Sequence, residues 1–381
     1  MYVHHRPDWP NFFWDADRLM PVLGAVRQKH GVLLGRVLSL DRELQGAAAV
    51  LASTTELLKS SEIEGVWLDE LQLRFAVERA LGLGTKKKSA ARIVLDVQGA
   101  VDVMTDATQR ASEPLTAQRL GRWHANMFPI QPAARTRSVP TVVGSWRTGS
   151  EPMQIVSGFA GQQQVHFEAP AAVRIDREMQ ALLDWIERDR SQDSAGARAL
   201  DPVLMAGVAH LWFATIQPFD DGNGRMARAL TELMLTRADG VPERFFSLSA
   251  QMRQERKAYY AAVDSAQCSS TLDITAWLEW FLGCFDRALD RSDEMLDGVM
   301  RQAAFWRTHP EGFNPRQRKV LNLLLSEGAE EVAGHLTSMK WSKLTRCSKD
   351  TAIRDINDLL ARKLLLRGPE GGRSTRYVLQ G

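Results

Sequence analysis

Apolar residues recur at three- and four-residue spacing through most of this 381-residue chain. That period marks one stripe of a helix, not one face of a strand. It runs through "DADRLMPVLGAVRQKHGVLLGRVLSL", "ELQGAAAVLASTTELLKSSEIEG", "KKKSAARIVLDVQGAVDVMTDA" and "TAQRLGRWHANMF". The pattern breaks between Gln131 and Pro170, where Gly, Ser and Pro separate short β-branched or aromatic runs. Such a stretch predicts a β-hairpin or flap set between helices. Helices resume at "AAVRIDREMQALLDWIERDR" and at "PVLMAGVAHLWFATI", the latter with Asp201 as N-cap and Pro202 near its start. Beyond "HPEGFN" the segments "PRQRKVLNLLLSE", "TSMKWSKLTR" and "SKDTAIRDINDLLARKL" read as three short helices. "LLLRGPEGGRSTRYVLQ" then reads as two strands around a Gly-rich tip. The expected fold is mainly α: a helical bundle with a β-hairpin flap, followed by a C-terminal winged helix-turn-helix.

Composition narrows the function classes. Hydrophobic residues make up 44% and charged residues 25% of the chain, ordinary values for a globular protein. Net charge is +2, so any attraction to nucleic acid must be local. Cys268, Cys284 and Cys347 are odd in number and widely spaced, which excludes a disulfide framework and fits a reducing cytoplasm. No apolar run approaches the roughly 20 residues of a membrane helix. The start, "MYVHHRPDWPNFFWD", is unlike a signal peptide, so a cytoplasmic protein is expected.

The chemistry concentrates in "QPFDDGNGRMAR", residues 217–228, between two helical patterns. Gly222 and Gly224 let a ligand approach the main chain. The following helix offers N–H groups without intrahelical acceptors and the positive end of its dipole. Arg225 and Arg228, three apart, are expected on one side of the first turn. Two guanidiniums and a set of N–H donors suit an oligophosphate. Asp221 stands where a Mg²⁺ bridging phosphates could be held. The same spacing also describes a glycine turn between helices with solvated arginines.

The segment resembles the signature of the Fic family, HPFxxGNGRxxR, at every specified position except the first, where Gln217 replaces His. "FATI" before it, "GSWRTG" upstream and "ERKAYYAAV" downstream agree with that resemblance, which covers roughly residues 115–290. It implies a Fic-type bundle whose members move AMP from ATP to a Ser, Thr or Tyr hydroxyl of a protein. It places Mg²⁺ on Asp221, and phosphates on Gly222, Asn223, Gly224, Arg225, Met226, Ala227 and Arg228. Phe219 would anchor the loop, and Tyr259 or Tyr260 would lie by the adenine. The flap, 144–170, would dock the target as an added strand. Implied partners are that target protein, the chain itself as substrate, and a second copy in a homodimer.

A second motif of the family, Ser/Thr-x-x-x-Glu-Gly/Asn, is matched by Ser60, Glu64 and Gly65. There the Glu pairs with the second motif arginine, here Arg228, and blocks the productive pose of the ATP γ-phosphate. The plain alternative is a helix end with Gly65 as its left-handed cap and Glu64 in solvent.

Gln217 alters the chemistry expected of this site. The family's His takes the proton from the attacking hydroxyl, work suited to a pKa near neutrality. An amide can orient a hydroxyl but cannot carry its proton away. An exchange made to trap ATP, a natural loss, or a base supplied elsewhere all account for Gln217. The nearest other histidine in sequence, His210, lies two helical turns back, about 10 Å by helix rise, and reads better as a core residue. The leading expectation is a self-inhibited adenylyltransferase weakened at its base. The alternatives are an ATP-binding sensor controlling a DNA-binding module, and AMP removal using Glu64 to align a water.

From Lys340 to Arg376 ten basic residues face four acidic ones. A basic second helix and wing would place Lys349, Thr351 and Arg354 in a major groove and Arg373 and Arg376 on phosphates of duplex DNA. Asp355 and Asp358 make the helix mixed in charge, which equally fits protein contacts. Expected segments are 1–112, an N-terminal helical region with the inhibitory helix, and 113–295, the Fic core. A linker helix end, 296–313, and a winged-helix domain, 314–381, complete the chain.

Overall fold

The structure, a computed structural model, describes residues 2–83, 94–128, 142–150, 152–157, 164–188, 200–325, 336–368 and 375–380. The chain divides into two compact units, Met1–Arg36 with Ala49–Asp290 and Val37–Ala48 with Arg291–Gly381. Helices dominate both, as the three-four spacing predicts.

In the first unit α1 (Ala16–Leu38) and α2 (Arg42–Ile63) follow a short 3-10 turn, Val3–His5; both helices also lend residues to the second unit. Next come α3 (Glu70–Ala80), α4 (Leu95–Gln109) and α5 (Ala117–Met127). Helix α3 was not expected, although Asp69 caps it and Leu73, Ala76 and Val77 form its buried stripe. That stripe packs with Val50 and Leu57 of α2 and Val97, Val101 and Met104 of α4. Strands β1 (Gln154–Ser157) and β2 (Gln164–Glu168) pair antiparallel, with a register shift between Ile155 and Val156. Within the expected flap, residues 151 and 158–163 lie outside the described residues.

Helices α6 (Ile175–Arg188), α7 (Pro202–Ile216) and α8 (Asn223–Asp239) follow, then α9 (Leu248–Gln254), α10 (Arg256–Gln267) and α11 (Thr275–Thr308). Every residue of α7 from Val203 to Ile216 is buried. A helix apolar on all sides must be wrapped by others, and α6 and α8 pack along it while α4 and α5 pack on α8. Its Asp201 cap and Pro202 start are present: the Asp201 side chain accepts from the Val203 N–H at 2.8 Å. The central helix thus delivers its C-terminal end to the motif loop, and α8 begins immediately after it.

The second unit contains α12 (Pro315–Leu325), α13 (Ser338–Thr345) and α14 (Lys349–Ala361), then β3 (Leu365–Arg367) paired antiparallel with β4 (Tyr377–Leu379). Thr337 and Ser348 cap α13 and α14. Val320, Leu321, Trp341, Ile356, Leu359 and Leu365 form its core. Element order follows the expectation, while the hairpin tip, 369–374, is outside the described residues.

Candidate active site

Gln217 ends α7 in the left-handed region, at φ 49° and ψ 61°, with its N–H donating to Phe213 O at 3.1 Å. Its side-chain Nε2 donates to Ala214 O at 2.8 Å, so the amide folds back on its own helix. Neither contact gives it a group that could accept a proton. Phe219 is fully buried, stacked on His124 at 4.0 Å and 4°.

Gly222 takes φ +78°, and an added Cβ would lie 2.7 Å from the Phe128 ring. At Gly224 an added Cβ would lie 2.1 Å from Oε1 of Glu64. These two positions need glycine for different reasons: the first for its backbone angle, the second because a carboxylate occupies the space. The arginines flank the turn rather than standing together. Arg225 lies over the Phe128 ring at 4.8 Å, beside Gly222, whereas Arg228 lies beside Gly224.

The Asn223 side chain, expected on the phosphates, instead exchanges two hydrogen bonds with Phe219. It accepts from the Phe219 N–H at 2.9 Å and donates to the Phe219 carbonyl at 2.7 Å. In this geometry the side chain closes the loop. Met226 and Ala227 are buried, and the Met226 N–H already donates to Gly222 O within the helix. Asp221 is half-buried and accepts from the Gly222 N–H at 2.6 Å.

Glu64 and Arg228 meet across 164 residues of sequence. Arg228 Nη2 donates to Glu64 Oε1 at 2.8 Å and to Ser60 O at 2.9 Å, and its Nε donates to the Ser60 hydroxyl at 2.8 Å. The guanidinium is 2% exposed and the carboxylate 29%. Burial acts against the charged form of Arg228, but Glu64 outweighs it and the arginine's pKa is raised. Gly65 has φ +74° just past the end of α2, the expected left-handed cap, but Glu64 lies on Arg228 and not in solvent.

Around this centre lie residues that sequence reasoning missed or left open. His124, on α5, is fully buried; its Nδ1 accepts from the Gly144 N–H at 3.0 Å and its Nε2 bonds the Asp221 carbonyl at 3.1 Å. Burial lowers its pKa, and Arg225 adds to the effect. Arg147 donates from Nε to Gln217 O at 2.8 Å, and its N–H donates to Pro218 O at 2.9 Å. His210 is fully buried between Thr231 and Tyr259, 2.9 Å from each, and burial with the nearby Arg228 pushes its pKa down to about 3. That is a core histidine held neutral. It also occupies Tyr259, which is buried, and leaves Tyr260, 40% exposed beneath Arg256, as the tyrosine that a base could reach. Burial raises the Tyr260 pKa, and Glu64 raises it further.

In the flap, β1 has β2 as its partner, and the facing Val156 and Val165 are 40% and 42% exposed.

The segment 114–235 matches the model of the Fic/DOC family, and 2–83 matches that of a domain of unknown function, DUF4172. The chain carries a Fic/DOC domain. Protein adenylyltransferase Fic of Nematostella vectensis is 31% identical over 121 residues, 32% of this chain and 25% of the relative. The protein of the same name in Aedes aegypti is 35% identical over 98 residues, 26% of this chain and 18% of the relative. The match thus spans a quarter or less of the length of these relatives. A Fic family protein from Desulfovibrio desulfuricans superposes with a TM-score of 0.52 at 20% identity, covering 97% of this chain and 98% of the other. A Fic domain containing signaling protein from Bacteroides thetaiotaomicron gives 0.51 at 18%, covering 72% and 97%. The fold of this mainly helical chain is that of Fic proteins.

In the second unit Lys349 and Arg354 are exposed, Thr351 is half-buried and Arg376 is exposed just before β4, while Arg373 is outside the described residues. Asp355 turns inward: Arg316 donates to it from Nε at 2.7 Å and Nη2 at 3.0 Å, and Asn314 adds a third bond at 2.8 Å. Asp358 accepts from Gln317 at 2.7 Å and pairs with Arg362. The acids that made α14 mixed in sequence are therefore engaged with neighbours.

Proposed function

We propose that this chain is a protein adenylyltransferase whose ATP site is closed by Glu64 and weakened by Gln217. The observation that carries the reading is the Glu64–Arg228 pair at 2.8 Å over Gly224, on a guanidinium only 2% exposed. A buried guanidinium fork suits the oxygens of a phosphate, and Glu64 occupies that fork.

In the reaction, a target hydroxyl attacks the α-phosphorus, a new P–O bond forms, and the bond to the β-phosphate breaks to release pyrophosphate. The hydroxyl proton must leave with a base. Gln217 hangs on Ala214 O and has no basicity to offer, and His210 is buried and engaged elsewhere. Arg225 and Arg228, with the main-chain N–H groups from Asn223 to Arg225, grip the phosphates. Among the described residues no cluster of three His, Cys, Asp or Glu side chains is present. The single Asp221 carboxylate suits Mg²⁺, which takes most of its ligands from phosphates and water. When bound, Mg²⁺ supplies charge neutralisation between the phosphates. A target segment is proposed to pair along β1, its side chains over Val156.

The α14 geometry favours a further role for the second unit. Asp355 is turned inward, and Lys349 and Arg354 are exposed on that helix beside the exposed Asp350; the two cations support a winged helix that meets duplex DNA. In that reading the nucleotide site informs a DNA-binding module.

The test restores the base. Gln217→His with Glu64→Gly is expected to raise AMP labelling of protein from ATP by about 10²–10⁴-fold over Glu64→Gly alone. Labelling absent from both variants, with ATP still bound, would replace the transferase reading with the sensor reading.

A further inference from the structure

We propose that His124 is a positioning residue that ties the phosphate loop to the start of the flap, setting nucleotide and target in one register. The inference rests on reading 217–228 as the nucleotide site. His124 lies on α5, outside that motif, and both of its ring nitrogens are engaged. Nδ1 accepts from the Gly144 N–H, so it carries no proton, and Nε2–H donates to the Asp221 carbonyl. One side chain therefore bonds the residue before Gly222 and the residue three before Arg147.

Three further contacts make this linkage specific. The ring stacks flat on Phe219, the buried anchor of the loop. Phe128, the residue that caps the C-terminal end of α5, lies under Gly222 and Arg225, so this end of the helix supports both ends of the turn. Gly121, one turn back, lets the flap approach: an added Cβ would lie 2.5 Å from Gly144 O. Arg147 bonds Gln217 and Pro218 main-chain oxygens on the other side of the loop. A flap held this way cannot shift against the phosphate loop without breaking a buried bond at His124.

The two nitrogens can be separated by substitution. In the full chain carrying Glu64→Gly, His124→Gln retains an amide donor near the Nε2 position. His124→Asn retains an acceptor near the Nδ1 position, and His124→Phe keeps the ring and loses both bonds. The readouts are ATP·Mg²⁺ affinity by calorimetry and amide exchange over residues 142–150.

His124→Gln is expected to hold ATP affinity within about twofold and to exchange faster at Gly144. His124→Asn is expected to keep Gly144 protected and to lose about tenfold in ATP affinity, the order of one buried hydrogen bond. His124→Phe loses both. Matching losses in the Gln and Asn variants would reduce His124 to a packing residue and overturn the proposal, as would unchanged behaviour in both. If the Glu64→Gly parent itself binds no ATP, the nucleotide reading fails. Exchange at Gly144 then decides the linkage by itself: protected with Asn and not with Gln supports it, and equal exchange in the two overturns it.

Discussion

Two ion pairs, one in each unit, are built in opposite senses. In Glu64–Arg228 the cation is the buried member, 2% exposed against 29% for the acid. In Arg316–Asp355 the acid is buried, 6% exposed against 38% for the arginine. A buried charge cannot be left alone, so its partner decides what the pair can do. Asp355 has Arg316 and Asn314 on its carboxylate and is held for good. Arg228 is held by Ser60 and Glu64, and its acidic partner, 29% exposed, reaches it from the edge of the site. A buried cation with a replaceable anion is a receptor for another anion; a buried anion with several donors is a pin.

The largest effect expected from that difference is at Arg228. Arg228→Ala in the Glu64→Gly chain should weaken ATP·Mg²⁺ binding by about 100-fold, since a buried charged contact is worth a few kcal/mol. Calorimetry reads this directly, and a loss under threefold would break the contrast. Asp355→Ala should leave ATP affinity unchanged and lower the melting temperature of the second unit by roughly 5–10 °C. Burial raises the Asp355 pKa, but Arg316 and Asn314 outweigh it and the net shift is downward. Its stabilisation is therefore complete above the unfolded carboxyl value, about 3.9, and is lost as pH falls through the lower folded value. Melting curves between neutral and strongly acid pH check the sign, because Asp355→Ala should remove that part of the slope. The smallest effect concerns the exposed cations. If α14 enters a DNA groove, Lys349→Ala with Arg354→Ala should reduce the slope of log affinity against log salt by about 2. An unchanged slope would leave the second unit to protein contacts.

The motif loop was legible because its residues are contiguous: spacing singled out Gly222, Gly224, Arg225 and Arg228, but it put the two arginines on one side of the turn, whereas they flank it. The Asp201 cap and the apolar α7 were legible for the same local reason. What escaped was assembled from distant segments. His124 lies on α5 and Phe128 caps its end, but nothing in "RWHANMF" says that this end of the helix meets residues 219–225. Arg147 was visible in "GSWRTG" without its acceptors at Gln217 and Pro218. The Asn223 side chain was assigned outward because the motif suggests a ligand, whereas loop closure onto Phe219 claims it first. Asp355 and Asp358 read alike because sequence gives charge but not direction; the structure buries Asp355 and leaves the Asp358 side chain 42% exposed.

The central claim is that Glu64 and ATP compete for one buried arginine, and titration of ATP·Mg²⁺ into the native chain and into Glu64→Gly tests it most directly. Removing the carboxylate should tighten binding by about tenfold, the effect of freeing a charge-assisted hydrogen-bonding site. Equal affinity in the two proteins, or no binding to either, would contradict it.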